Sequence, residues 1–454
     1  MIKSKPNILF IMADQLRADY LGCYGATWVD TPNIDALAKK GTLFNHCYTN
    51  SPVCAPARIA LATGMRPHRV GALDNQSYLP ASSTTYYQRV RDQEYYVGCS
   101  GKLDLAKPDG YNGLKGDRPC NYGFGFTHPI EVEGKIHAGK SDTPFGPYSS
   151  YLEDKGLLKK FHQDFRPRGF FNANDSVLES NDWHDAFIGQ RAVQWLEQRP
   201  KDFPYHMFVS FAGPHDPFDP PTEYAEQYRN REMPPRVIDD GRNKPERIKK
   251  RMVSVNKHSE EELLVIRRQY CAAIQAIDDQ VGKILAAAEA RNDGRDTYIF
   301  FSADHGEMMG DHSLPIKHVA YQPSWRIPLI ASGPGLQEGK TSQALVELID
   351  VGETICELAG ATRPDNVDAH SLLSLLKGET IEHRDHVLTI ERPFEAIRDH
   401  KWKFVRTHND LSELYDMEED PLELNNLIKE NPSKARELSS IMTQGFMEGK
   451  WRRG

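Results

Sequence analysis

Three short, nearly uninterrupted apolar runs, far apart in the chain, constrain its fold more than any other feature. They are residues 8–13 (ILFIMA), 205–211 (YHMFVSF) and 297–302 (TYIFFS). Each is too short for a typical helix and lacks the polar alternation of a half-exposed strand, so each reads as a strand buried on both faces. Strands of that kind occupy the interior of a mainly parallel sheet covered by helices on both sides. Each run also ends in polar residues. Asp14 and Gln15 follow the first, Gly213-Pro214-His215-Asp216-Pro217 the second, and Asp304-His305-Gly306 the third. Ligand groups in open α/β sheets gather beyond the carboxyl ends of the strands. The three runs therefore predict a single site.

The remaining pattern supplies the cover. Ser259-Glu260-Glu261-Glu262 resembles a capping box opening a long helix over residues 259–291, with Leu263, Leu264, Ile274, Ile277, Val281, Ile284 and Leu285 largely on one face. Shorter helices are expected over 35–40 and 350–359. Residues 107–182, rich in Gly, Pro, Asp, Asn and aromatics, read as long loops over the strand ends. The basic, proline-containing segment 234–258 reads as a second excursion. Beyond Arg363-Pro364, short strand candidates at 387–390, 396–398, 402–406 and 413–415 precede a helix after Pro432. The expected architecture is α/β: a large, mixed, mostly parallel sheet sandwiched by helices, with a smaller C-terminal antiparallel sheet plus helix. The expected division is a catalytic domain over 1–363 and a C-terminal α+β subdomain over 364–454.

Composition narrows the function classes. A chain of 454 residues that is 39% hydrophobic can bury a large core. Its net charge of −8 argues against a general nucleic-acid binder. Cysteines 23, 47, 54, 99, 120, 271 and 356 are odd in number and scattered, which favours free thiols in a reducing compartment. No stretch approaches the length of a membrane span, and residues 8–13 are too short for a signal-peptide core. A soluble, cytoplasmic protein with no membrane partner is expected.

Two groups of residues carry chemistry. In Cys54-Ala55-Pro56-Ala57-Arg58, a small thiol precedes a proline suited to a helix's first turn, and an arginine follows one turn on. A helix N-terminus there would favour a phosphate- or sulfate-like anion. Asp14, Gln15, Asp304 and His305 offer three oxygen donors and one imidazole, a set suited to Ca²⁺ or Mg²⁺, with Mn²⁺ admissible. Singly, each has a plainer reading: a buried thiol, a helix cap, a core histidine.

The spacing Cys54-x-Pro56-x-Arg58 resembles the recognition pattern of the type I sulfatases, within the alkaline phosphatase superfamily. The segments 310–328 and Leu414-Tyr415-Asp416 through Pro421 are also similar to that family. The resemblance implies an alkaline phosphatase-like fold and a sulfuric ester hydrolase. It implies that a formylglycine-generating maturation enzyme oxidises Cys54, and that the aldehyde hydrate is the nucleophile. It implies one Ca²⁺ held by Asp14, Gln15, Asp304, His305 and the residue at 54. Arg58 would pair with the hydrate or the ester anion. Lys102, in Gly101-Lys102, together with His215 and Lys317, would contact substrate, while His318 reads as structural. Asn75 is similar to an anion-contacting asparagine of choline sulfatases and phosphonate monoester hydrolases. The implied substrate is a small-molecule or saccharide sulfate ester.

One position departs from the pattern. Many sulfatases carry Gly-Lys-x-His, and here the last position is Asp104. A carboxylate facing a sulfate repels it unless protonated, turned away or paired with a cation. Asp104 either serves as a base in place of the histidine or reads a cationic part of the substrate. Phosphonate hydrolases of the family also lack that histidine, so a phosphonate monoester or phosphodiester hydrolase is the alternative.

Overall fold

The computed structural model describes residues 5–166 and 171–447. Its larger sheet has nine strands: β1 (Asn7–Asp14), β2 (Thr42–Tyr48), β3 (Tyr96–Gly101), β4 (His128–Glu131), β5 (Tyr205–Pro214), β6 (Thr297–Ala303), β7 (Arg326–Ile327), β8 (Leu329–Ser332) and β9 (Lys340–Glu347). The spatial order is β4-β3-β5-β1-β6-β8-β2-β7, with β9 paired to β2. The three apolar runs are neighbours in the middle of the sheet. β1 lies parallel between β5 and β6, with Ile8 opposite both His206 and Tyr298. Every residue of β1 and β5 is buried regardless of the face it points to. Only a sheet covered on both sides does that.

One covering layer holds the long helix Glu260–Ala290 and the helix His184–Gln198, which pack on each other and on β5. Ser259 caps the long helix in a complete capping box with Glu262. The other layer holds the helices Cys54–Thr63 and Ile349–Ala359. The first of the shorter helices spans Pro32–Lys39, three residues earlier than expected, because Pro32 supplies a preorganised first turn.

Four further strands, β10 (Val387–Glu391), β11 (Phe394–Arg398), β12 (Trp402–Thr407) and β13 (Glu413–Asp416), form an antiparallel meander. Alternation divides its faces. Leu388, Ile397, Phe404 and Leu414 pack under the terminal helix Pro432–Met447 against Leu438 and Met442. Val387, Phe394, Ala396 and Val405 face Tyr48 and Leu345 of the larger sheet and Trp325 just before β7. Residues 107–182 differ from the expected long loops. They contain the edge strand β4 and the helices Pro147–Asp154 and Leu158–Phe165. These elements are four and eight residues long, too brief for a periodic signal to rise above their polar composition. All seven cysteines are free thiols. Among the described residues no helix is long and apolar enough to cross a membrane.

Candidate functional site

The parallel register brings the three strand ends together. Ala13 lies opposite Ala303, and the register shifts between Ala13 and Asp14, which sets Asp14 against Pro214. Gln15 then turns with φ +67°, and its backbone N–H donates to Asp304 Oδ1 at 3.0 Å. The helix Cys54–Thr63 enters from the other side, with Cys54 as its first residue, and Gly64 ends it in the left-handed region at φ +66°. Lys102 follows β3 through Gly101, at φ +116°, where a Cβ would overlap the Ser210 carbonyl oxygen.

One ligand atom from each of Asp14, Cys54, Asp304 and His305 lies within 4.8 Å of the others, and all four residues are buried. Cys54 Sγ is 3.2 Å from His305 Nε2, 3.3 Å from Lys317 Nζ and 3.7 Å from Asp14 Oδ1. His305 Nδ1 lies 2.9 Å from the Gly306 carbonyl oxygen. With the proton on that nitrogen, Nε2 presents its lone pair to the cluster as an acceptor or metal ligand. Two carboxylates and an imidazole in a buried pocket fit a hard divalent cation, and a sulfur alone would not. The side chain of Gln15 lies beside them, with Oε1 accepting from Lys317 Nζ and Nε2 donating to Glu307 and, at 3.3 Å, to Asp216 Oδ1.

Positive charge surrounds this group. Arg58 Nε donates to Asp304 Oδ2 at 2.8 Å, and its Nη1 to the Lys102 carbonyl at 2.7 Å and Ser210 Oγ at 2.8 Å. Its Nη2 has no hydrogen-bond partner and lies 3.5 Å from Asp14 Oδ2. Lys102 Nζ donates to Asp14 Oδ2 and lies 3.1 Å from Asp104 Oδ2. Burial raises the Asp14 carboxyl, but Lys102, His215 and Arg58 outweigh it and hold the group below its ordinary range. Burial likewise pushes the Cys54 thiol up, and Lys102, Lys107 and Lys317 more than reverse this, so a negative charge at position 54 is strongly favoured. Glu307, buried and facing Asp216, is pushed up to about 7.

The other expected site residues are placed as follows. His215 is partly exposed, with Nδ1 2.6 Å from the Asp216 carbonyl oxygen and 3.2 Å from its Oδ1. Asn75 accepts from the Ala55 N–H at 3.1 Å, and so satisfies a free donor of the Cys54 helix. His318 pairs with Glu391 of β10. Asp104 is not in an extended segment: its φ is +56°. Its carboxylate nevertheless turns to the Lys102 side and bridges to Lys107 Nζ at 2.6 Å. Both lysines hold it below its ordinary pKa although burial opposes them.

Five neighbours of the cluster were not singled out from sequence: Lys107, Ser210, Asp216, Glu307 and Tyr270. Asp216 and Glu307 adjoin His215 and His305, so adjacency to the strand-end motifs was an available signal. Ser210 is a lone hydroxyl in an apolar strand. Tyr270, whose hydroxyl donates to the Gln15 carbonyl at 2.6 Å, comes from the middle of the long helix and carries no such signal.

The family model described as "Sulfatase" matches residues 6–361. This chain belongs to the sulfatase family. A second model, "N-sulphoglucosamine sulphohydrolase, C-terminal", matches residues 310–448. Among its sulfatase relatives, the choline-sulfatase of Rhizobium meliloti is 31% identical over 456 residues, covering 95% of this chain and 84% of the relative. The arylsulfatase of Clostridium perfringens is 29% identical, covering 95% and 92%. Among solved structures, the phosphonate monoester hydrolase of Agrobacterium radiobacter superposes with a TM-score of 0.81 at 23% identity, over 98% of this chain and 96% of that one. That likeness establishes the fold, which is alkaline phosphatase-like.

Proposed function

We propose that this sulfatase-family chain hydrolyses an organic O-sulfate ester to an alcohol and inorganic sulfate, with a formylglycine made from Cys54 as the nucleophile. The observation that carries the proposal is the setting of position 54. It opens a helix, sits in the candidate metal cluster and faces Lys102 and Lys317, so an anion there is stabilised from several sides. The Cys54 sulfur stands for the oxygens of the hydrated aldehyde in the matured protein.

A divalent cation, Ca²⁺ by the oxygen-rich donor set, would be held by Asp14, Gln15, Asp304, His305 and the residue at 54, and would supply charge stabilisation. Arg58 Nη2, which makes no hydrogen bond and lies 3.5 Å from Asp14 Oδ2, adds positive charge to the same region. One hydroxyl of the hydrate, its proton already lost to solvent because a negative charge is favoured at position 54, attacks sulfur as the bond from sulfur to the ester oxygen breaks. Charge developing on the sulfuryl oxygens faces Lys102 and Lys317. His215 or Lys317 gives a proton to the departing alcohol. The second hydroxyl then loses its proton, the aldehyde C=O reforms, and the bond from carbon to the sulfate oxygen breaks. Sulfate leaves, and water rehydrates the aldehyde. Asn75 fixes the start of the Cys54 helix, which places the nucleophile.

Maturation requires a formylglycine-generating partner. Candidate esters are small or saccharide sulfates: one relative is described as an ulvan-active sulfatase, and a solved structure holds D-glucosamine-2-N,6-O-disulfate as its substrate. The carboxylate at position 104 keeps a second reading, a phosphonate monoester or phosphodiester hydrolase on the same site. The experiment is a release assay across aryl sulfate, choline sulfate, saccharide sulfates, phenyl phosphonate and a phosphodiester, run with intact mass of the peptide containing residue 54. Sulfate release by protein carrying the aldehyde is expected. A converted protein that releases only phosphorus products would replace the first reading with the second.

A further inference from the structure

Lys317 reaches the cluster from a loop that does not hold itself in shape. Ile316 and His318, on either side of it, both have left-handed backbone, at φ +51° and +74°. Neither is a glycine, so surrounding structure must impose that conformation. The Ile316 carbonyl accepts from the Met308 N–H at 2.7 Å, the His318 N–H donates to the Pro52 carbonyl at 3.4 Å, and the His318 ring pairs with Glu391. The remaining hold comes from the excursion helix Glu246–Val255. Arg251 Nη1 donates to the His318 carbonyl at 3.0 Å, and its Nη2 donates to the carbonyls of Pro315, at 3.2 Å, and Lys317. Arg247, one turn earlier, donates to the same His318 carbonyl.

That helix is itself anchored. The Asp410 carboxylate accepts from the N–H groups of Glu246 and Arg247, each at 3.0 Å. Ile248 and Met252 pack against Met308, Leu314, Val319 and Tyr321, and the Arg247 guanidinium lies 5.0 Å over the Phe394 ring. Among the described residues neither guanidinium forms an ion pair with a carboxylate. Burial and the adjacent Arg247 push the Arg251 guanidinium down to about 10. Two adjacent, partly desolvated arginines are ordinarily neutralised by an acid. Here a carboxylate would compete for the fork of donors. Glu391 and Glu307 act on Arg251 only through space, so its hydrogen bonds all go to neutral carbonyls around one lysine.

We propose that Arg251, seconded by Arg247, is a positioning residue for Lys317: it fixes the backbone on both sides and so sets the ammonium beside position 54 and Gln15. The inference rests on the reading of Lys317 as a group that contacts the ester. A planar fork spreads its donors over two terminal nitrogens and so reaches carbonyls on both sides of Lys317, whereas an ammonium holds its three donors on one nitrogen.

The test uses the matured, metal-loaded full chain with 4-nitrophenyl sulfate, or whichever ester of the panel it turns over. Arg251→Met and Arg251→Lys are each expected to lower kcat about ten- to hundredfold, the scale of a misplacement near 1 Å, with a smaller change in KM. In a Lys317→Ala background the same changes should cost less than about twofold, because the group they position is gone. Crystal structures of the Arg251 variants should show Lys317 Nζ displaced from residue 54. If Arg251→Met does not fold, Arg251→Lys carries the measurement. Unchanged kcat in the folded variants, an equal loss with and without Lys317, or an unmoved Lys317 would each overturn the inference. A chain that hydrolyses none of the esters would defeat the proposed function, while the position of Lys317 in the crystals would still decide this one.

Discussion

Two clusters of buried charge share the segment 304–325, and they differ in how they are closed. At the strand ends, Asp14 and Asp304 face Arg58, Lys102 and Lys317 around the Cys54 sulfur, and Arg58 Nη2 makes no hydrogen bond, only an ion pair with Asp14 at 3.5 Å. On the far side of the segment, Lys244 sits between Asp239, at 3.2 Å, and Glu413, at 3.8 Å, and donates to Tyr415 Oη at 2.7 Å and the Glu423 carbonyl at 2.9 Å. The rings of Tyr321 and Tyr415 lie 4.5 and 4.8 Å from its ammonium. Lys403 of β12 pairs with Glu423 and donates to the Ala320 carbonyl at 2.6 Å. The second cluster completes its own charges and joins the C-terminal meander to the larger sheet. The first gathers cations about an atom that gains by being negative. Burial and charge alone therefore do not mark a site; cations converging on one atom that gains by being negative do.

The largest expected effect breaks the first cluster only. Cys54→Ala should abolish turnover and leave the fold intact, because one small thiol contributes little packing; Tm should shift by no more than about 2–4 °C. Near-normal rates in that variant would remove position 54 from the chemistry. The matching break in the second cluster is Lys244→Met. It leaves Asp239 and Glu413 without that cation in a buried place, a loss of about 3–5 kcal/mol in urea unfolding. The protein that remains folded should keep kcat within about threefold. A large drop in kcat at unchanged stability would show that the two clusters are coupled through the segment they share.

Metal removal sharpens the contrast. Chelation followed by desalting should lower both activity and stability, the latter by about 2.7 kcal/mol for an ion present at a hundredfold over its Kd, and Ca²⁺ should restore both. The shift should be the same in Lys244→Met, since that cluster holds no donor set for an ion. Elemental analysis that finds no divalent metal in active protein would end the reading of Asp14, Gln15, Asp304 and His305 as ligands.

What the sequence revealed follows the same line. The central strands were legible because burial on both faces leaves an unbroken apolar run, and the polar residues after each run mark the edge where parallel strands end. The C-terminal strands were legible as short candidates separated by turns; that both faces are packed, with Val387 and Leu388 or Phe404 and Val405 pointing to opposite sides, was not. β4 and the helices between 107 and 182 were not, since four to eight residues pack through contacts made elsewhere. Long-range placement was also hidden. Nothing local to Lys107 says that it meets Asp104 beside Cys54, and nothing local to Arg251 says that its donors end on the carbonyls around Lys317.

The smallest effect is expected at Asp104, where the contrast is most finely balanced. This carboxylate lies in the first cluster but is neutralised in the manner of the second, by Lys102 at 3.1 Å and Lys107 at 2.6 Å. Its pKa is depressed from 3.8, so its contribution to stability is present above that value and is lost only as pH falls through the lower folded value. Assays above about pH 5 therefore read an ionised Asp104 throughout, which makes it a poor proton acceptor and a good charge partner. Asp104→Asn removes the charge at nearly constant volume and frees two ammonium groups to meet the substrate anion. Asp104→His restores the commoner family pattern. Both should change relative kcat/KM between sulfate and phosphonate esters by about two- to tenfold, or up to ~1.4 kcal/mol, with a smaller loss of stability than Lys244→Met because Lys102 keeps its pair with Asp14. A base at this position would instead give a loss in kcat for every ester alike, steeper in Asn than in His. Unchanged ranking and unchanged rates in both variants would place Asp104 with the closed cluster, as a structural tie between its lysines.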